Sequence, residues 1–248
     1  GTGNINITNN GSTAITVTPG ALAEANSINY KFIAGTYPLT ITAGSVKGLN
    51  FTGYAGTVTN TALTVYGNIT ISTGVTLSAG TNALTLASTG NQSITSNGKT
   101  VDFPVTMSGT GNVTINDALT VGSTRTFTLG NGTLNLNNLT LSTGTFTTAT
   151  GTKTLLFNGG TLTVVGSGAT AFNNAVPTGF TTSKGTGNGT ISMSSASAKT
   201  FVGGGNTYYC GLDQSGAGNL TITGNNSFER FKFTYGLIGN ANILLPAS

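Results

Sequence analysis

Glu24, Asp102, Asp117, Asp213 and Glu229 are the five acids of this 248-residue chain, which has no histidine. Two carboxyl groups facing each other across a groove, roughly 5–9.5 Å apart, could cleave glycosidic bonds. Asp102 and Asp117 are separated by a short stretch of chain, and Asp213 and Glu229 by a similar one, so either pair could meet on neighbouring turns of a stacked fold. Plainer roles fit the local sequence better. Asp102 occupies an outward strand position in Lys99-Thr100-Val101-Asp102-Phe103-Pro104, and Asp117 follows Asn116 in a turn sequence. Acid–base work that relies on imidazole and the Ser–His triad both lack their central group. The single cysteine, Cys210, allows no intramolecular disulfide and no zinc cluster, and reads as a small buried apolar residue. Gly203-Gly204-Gly205 is not followed by the Lys-Ser/Thr of a phosphate-binding loop, so it reads as a tight turn. No catalytic, metal or cofactor site is expected.

The residues left for recognition are aromatic. Tyr208-Tyr209-Cys210 is the most unusual tripeptide, and adjacent tyrosines could stack on a sugar or meet a partner subunit. In a strand Tyr208 and Cys210 share one face and Tyr209 takes the other, which sends at least one ring into the core. Phe228 precedes the alternating Phe231, Phe233 and Tyr235, which should close the end of the core or pack on a neighbouring chain. Tyr208, Tyr209, Phe231, Phe233 and Tyr235 are therefore the candidate ligand or subunit contacts. Thr-x-Thr rows such as Thr124 to Thr128 and Thr143 to Thr147 raise ice binding, but interruptions by Asn, Lys and Arg argue against a flat array.

These side chains must be positioned by an unusual backbone. Thr (50), Gly (38), Asn (28) and Ser (20) make up over half of the chain, and charged residues only 6%. Disorder is not implied, because Val, Ile, Leu and Phe recur regularly and charge is scarce. The net charge of +4 comes from nine dispersed Lys and Arg residues, not the dense basic stripe of a nucleic-acid surface. No apolar run approaches the ~20 residues of a membrane-spanning helix, so neither nucleic acid nor membrane insertion is expected. The start Gly1-Thr2-Gly3-Asn4, without an initiator Met or signal sequence, suggests a segment of something longer.

From Ala62 to Val165 the pattern is apolar–Thr/Asn–apolar: Leu63-Thr64-Val65, Leu84-Thr85-Leu86, Val113-Thr114-Ile115, Phe127-Thr128-Leu129, Leu162-Thr163-Val164. This period of two marks short strands with one face inward, separated by Gly, Asn and Ser turns. A helix is suggested only at Pro19 to Asn26. Gly-Thr/Ala-Gly-Asn introduces a strand at Gly1, Gly109, Gly185 and Gly216, and Lys-Thr-apolar recurs at unequal intervals, at Lys99, Lys153 and Lys199. Degenerate repeats of short strands that cannot bury a face alone predict an all-β parallel solenoid, with one or two antiparallel sandwiches as the rival fold. Texture divides the chain into an irregular β-rich region 1–60, a regular repeat region 61–168, and a region 169–248 with a Gly-rich loop and an aromatic end.

The stretch Lys199 to Tyr208, followed by Gly216-Ala217-Gly218-Asn219-Leu220-Thr221-Ile222-Thr223-Gly224-Asn225-Asn226-Ser227-Phe228, resembles repeats in structural proteins of marine tailed phages, including tail-fibre-like proteins of cyanophages. The likeness is good over this C-terminal part and extends to the Gly/Thr/Asn-rich strands before it only in texture. It implies a virion or cell-surface structural role and transfers no catalytic residue. Glu229-Arg230-Phe231-Lys232-Phe233 departs from that texture. The expected function is a non-enzymatic, self-associating segment of a fibre, filament or decoration, homo-oligomeric and extracellular. The alternatives are an adhesin-like module that binds host-surface glycan and a polysaccharide depolymerase.

Overall fold

The computed structural model describes residues 3–234 and, for the backbone, 243–244. It is an all-β parallel solenoid of about 11 turns, as the strand pattern predicts, and not a sandwich. Face A is a nine-stranded sheet running from Asn4–Asn9 to Phe180–Ser183. Face C is a ten-stranded sheet from Gly44–Val46 to Ile243–Leu244. Between them in chain order comes face B, built first from a four-stranded sheet that ends at Thr76–Leu77. A seven-stranded sheet, from Thr100–Val101 to Ser227–Phe233, then takes its place. Where one sheet hands over to the other, Leu77, Val101 and Phe103 border an apolar void of about 40 Å³.

Register explains why the repeats looked irregular. Tyr30 pairs with Leu49, Leu134 with Leu155 and Leu162 with Ile191, so turns differ in length, and the last of these three is much the longest. The strands stay short while the corners absorb the difference. Alternation then sorts the side chains: Leu63, Val65, Leu84, Leu86, Val113 and Ile115 are buried, and the Thr between them faces outward. The interior is a single apolar cluster from Tyr30 to Ile222. Its spine in the second half is a ladder of phenylalanines on face C. Phe127, Phe146, Phe172 and Phe201 pair in register, with ring centroids 6.0, 5.3 and 4.2 Å apart and planes within 16°.

The Gly-Thr/Ala-Gly-Asn phrase marks a corner each time, between faces C and A at Gly109, A and B at Gly185, and B and C at Gly216. A Cβ on Gly109 would overlap the carbonyl of Ser88, and one on Gly111 the carbonyl of Gly90. Gly216 and Gly218 lie in the same way against Ser194 and Ser197. Such corners bring successive turns so close that only hydrogen fits. Gly3, in the first turn, has nothing nearer than 4.0 Å.

Corners also leave carbonyls inside, and buried polar side chains take them. Lys153 Nζ donates to the carbonyls of Gly151 (3.0 Å) and Thr178 (2.9 Å), and Lys199 Nζ to those of Ser195 (2.9 Å) and Gly218 (2.6 Å). Gln92 Nε2 donates to Gly67 O at 2.6 Å. Burial lowers the pKa of both lysines. The expected helix at Pro19 to Asn26 is absent: the segment is irregular except for one 3₁₀ turn, Glu24–Asn26. Gly20 and Leu22 instead bond Ser45 of the next turn, holding the place of the missing first face-C strand.

Candidate functional site

Asp102 and Asp117 lie at opposite ends of face-B strands, five residues apart once the turns are aligned, with the Ser96–Lys99 turn between their positions. Asp213 pairs in register with Lys232, three residues past Glu229, and Glu229 sits at the register shift between Phe228 and Arg230, so the two acids are not opposite each other. In both pairs the chain between the acids falls short of a full turn, so neither pair stacks. Each acid has its own structural partner. Asp102 accepts from Arg125 Nε (2.8 Å) and Asp117 from Ser96 N (2.8 Å) and Oγ (3.0 Å). Asp213 accepts from Thr234 N (3.2 Å) and Oγ1 (2.8 Å), and Glu229 pairs with Lys184 (3.2 Å).

The aromatic candidates separate. Tyr208 is a core residue, contrary to its expected role as a contact: its ring stacks on Phe228 at 5.0 Å and its hydroxyl donates to Gly203 O at 2.7 Å. Burial raises its pKa and pushes the thiol of Cys210, on the same face, up to about 12. Tyr209 points outward and is 52% exposed. Phe231 and Phe233 are exposed, yet they pair with buried Leu212 and Gln214 and so continue interior columns. Tyr235 lies outside the described residues. Gly203-Gly204-Gly205 forms a turn, closed by Asn226 Oδ1, which accepts from Gly205 N at 3.0 Å. Thr143 is interior, bonded to the carbonyls of Arg125 and Thr145, so the row from Thr143 to Thr147 turns a corner instead of lying on one face.

A different feature emerges where face C turns onto face A in the first five turns. An open groove of about 700 Å³ is lined by Asn29, Lys31, Asn50, Tyr66, Asn68 and Asn91, among others. Register assembles it: Lys31, Asn50 and Thr70 form one outward column, and Asn4, Asn29 and Gly48 begin the next. Glu24 builds its wall. The carboxylate leans along the axis to Lys47 (3.1 Å), Ser88 Oγ (3.2 Å), and Thr89 N (3.1 Å) and Oγ1 (2.8 Å), far ahead of it in the chain. Tyr66 adds a hydroxyl bond to Leu22 O at 3.3 Å. Sequence reasoning missed this groove because its residues come from five turns and carry no local motif.

Partial burial pushes the Glu24 carboxyl up, but the side-chain and backbone bonds from Thr89, together with Lys47, overcome this and hold it at about 2, against an ordinary 4.5. The folded pKa lies below the unfolded one. The stabilisation is therefore complete above pH 4.5 and is lost as pH falls from there to about 2. Glu24→Gln should cost about 1–2 kcal/mol at pH 7, allowing for solvent screening. Melting curves between pH 7 and 2 check this: the wild-type advantage should vanish across that window, and an unchanged gap would contradict the wall's role.

Family models, curated proteins and solved structures, each compared with the chain, yield no match.

Proposed function

We propose that the chain is a structural rod segment of a virion or cell-surface appendage that lengthens by end-to-end association of copies. One observation carries this reading: among the described residues, the interior columns at both ends of the stack finish in exposed apolar side chains. Ile5, in the outermost face-A strand, pairs with buried Tyr30 and is 39% exposed. At the other end Phe231 and Phe233 are 48% and 57% exposed above Leu212 and Gln214. Apolar end columns, and strand edges without a partner among the described residues, favour addition of another parallel turn. The faces between them are lined by Thr, Asn and Ser, with Thr64, Thr85, Thr106, Thr128 and Thr147 in one column, which favours growth along the axis over lateral clumping. The individually pinned acids support a mechanical role over cleavage, and the likeness of the C-terminal repeats to phage structural proteins supports the location.

Sedimentation velocity over a hundredfold concentration range tests the reading. The wild type should form longer species as concentration rises, and Ile5→Lys or Phe231→Lys should remain monomeric with unchanged circular dichroism. A wild type that stays monomeric throughout, or lysine variants that assemble equally well, would overturn it.

A further inference from the structure

We infer that the groove over the first turns is a binding site for an extended, hydroxyl-rich polymer, a polysaccharide that is neutral or sparsely acidic. The inference rests on the groove alone and not on the rod reading. Its lining runs from Asn4 in the first turn to Asn91 in the fifth, four strand spacings of ~4.8 Å, or ~19 Å along the axis. That is long enough for several sugar rings, and the groove is open to solvent, so it suits a chain better than a single small molecule.

The lining is neutral, polar and partly held in place. Asn50 Oδ1 accepts from Thr52 N at 2.8 Å and Asn68 Oδ1 from Ser93 N at 2.9 Å. Those bonds fix the two amides and leave their NH₂ groups without an acceptor among the described residues, able to donate to hydroxyl oxygens. Fixing a donor before the ligand arrives reduces the ordering cost of binding. Tyr66, anchored by its hydroxyl to Leu22, supplies a ring against which the apolar face of a sugar can lie. Lys47 is neutralised by Glu24, whereas Lys31 is exposed and makes no ion pair among the described residues. One free ammonium accommodates an occasional carboxylate but falls far short of the row of cations a nucleic acid requires. A peptide adding as a strand needs an unpaired sheet edge, and this groove lies on a paired face.

Gly90 offers a clean block. It lines the groove, its φ lies outside the left-handed region, and a Cβ there would meet nothing nearer than Ser88 Oγ at 4.0 Å. The experiment is titration calorimetry of the full chain with soluble hexasaccharides of β-1,4-glucan, β-1,4-mannan and β-1,4-mannuronate. Gly90→Phe, Asn91→Trp and, as a control on face B, Thr163→Phe are compared after circular dichroism confirms folding. At least one hexasaccharide should bind saturably, with affinity lowered tenfold or more by Gly90→Phe and by Asn91→Trp and unchanged by Thr163→Phe. Lys31→Gln should weaken the mannuronate more than the neutral probes. No saturable binding by any probe, or equal binding by the blocked variants, would overturn the inference. Assembly of the rod is read by sedimentation, so failure here leaves that reading intact.

Discussion

Phe172→Ala is expected to lower the unfolding free energy by about 4 kcal/mol, within the range for deleting a fully buried aromatic side chain. Phe172 is 0% exposed and sits third in the ladder, between Phe146 at 5.3 Å and Phe201 at 4.2 Å, with Tyr208 edge-on at 6.0 Å. The site cannot collapse to fill the space, because the spacing of turns is set by backbone hydrogen bonds on either side. Denaturant titration measures the loss. A change below about 1 kcal/mol would mean that the rings do not stack in register. Phe172→Leu, which keeps most of the volume, should recover a large part of the stability.

Gly111→Ala should be nearly as damaging, at about 3 kcal/mol, whereas Gly3→Ala should change stability by less than about 0.5 kcal/mol. The two glycines occupy the same place in the Gly-Thr-Gly-Asn phrase. They differ in what lies beneath: the backbone of Gly90 in one case and open space in the other. A methyl group at position 111 must push two turns apart, breaking the bond from Gly111 N to Ser88 O (3.0 Å). Equal effects at the two positions would show that the phrase serves local turn conformation and not close stacking. Thermal melts of the two single variants decide between these.

Much of the architecture was legible because strand alternation is a local property. Leu63-Thr64-Val65 and Leu162-Thr163-Val164 say which side chains face inward whatever lies above or below. Turn length was not legible, since the corners between strands vary and the stacking partner of a residue depends on their sum. That is why Asp102 and Asp117 looked as if they could stack and do not. The fate of Tyr208 followed from its parity with Cys210, and its placement as a contact underweighted that rule. Lys153 and Lys199 carried a partial signal: each begins its strand in parity with an interior Leu155 or Phe201 and ends on corner carbonyls, whereas Lys99, before Val101 in the same phrase, is only half-buried. The groove had no comparable signal. Asn29, Asn50, Asn68 and Asn91 are ordinary members of an Asn-rich chain until register brings them together.

The most direct test of the rod is cryo-electron microscopy of the chain concentrated until it assembles. Parallel turns of ~4.8 Å, about 11 of them per copy, predict filaments with a subunit repeat of roughly 53 Å and strands perpendicular to the axis. Filaments with that repeat, lost in Phe231→Lys, are the expected result. Single particles at every concentration, or copies joined side by side through the Thr-lined faces, would contradict it.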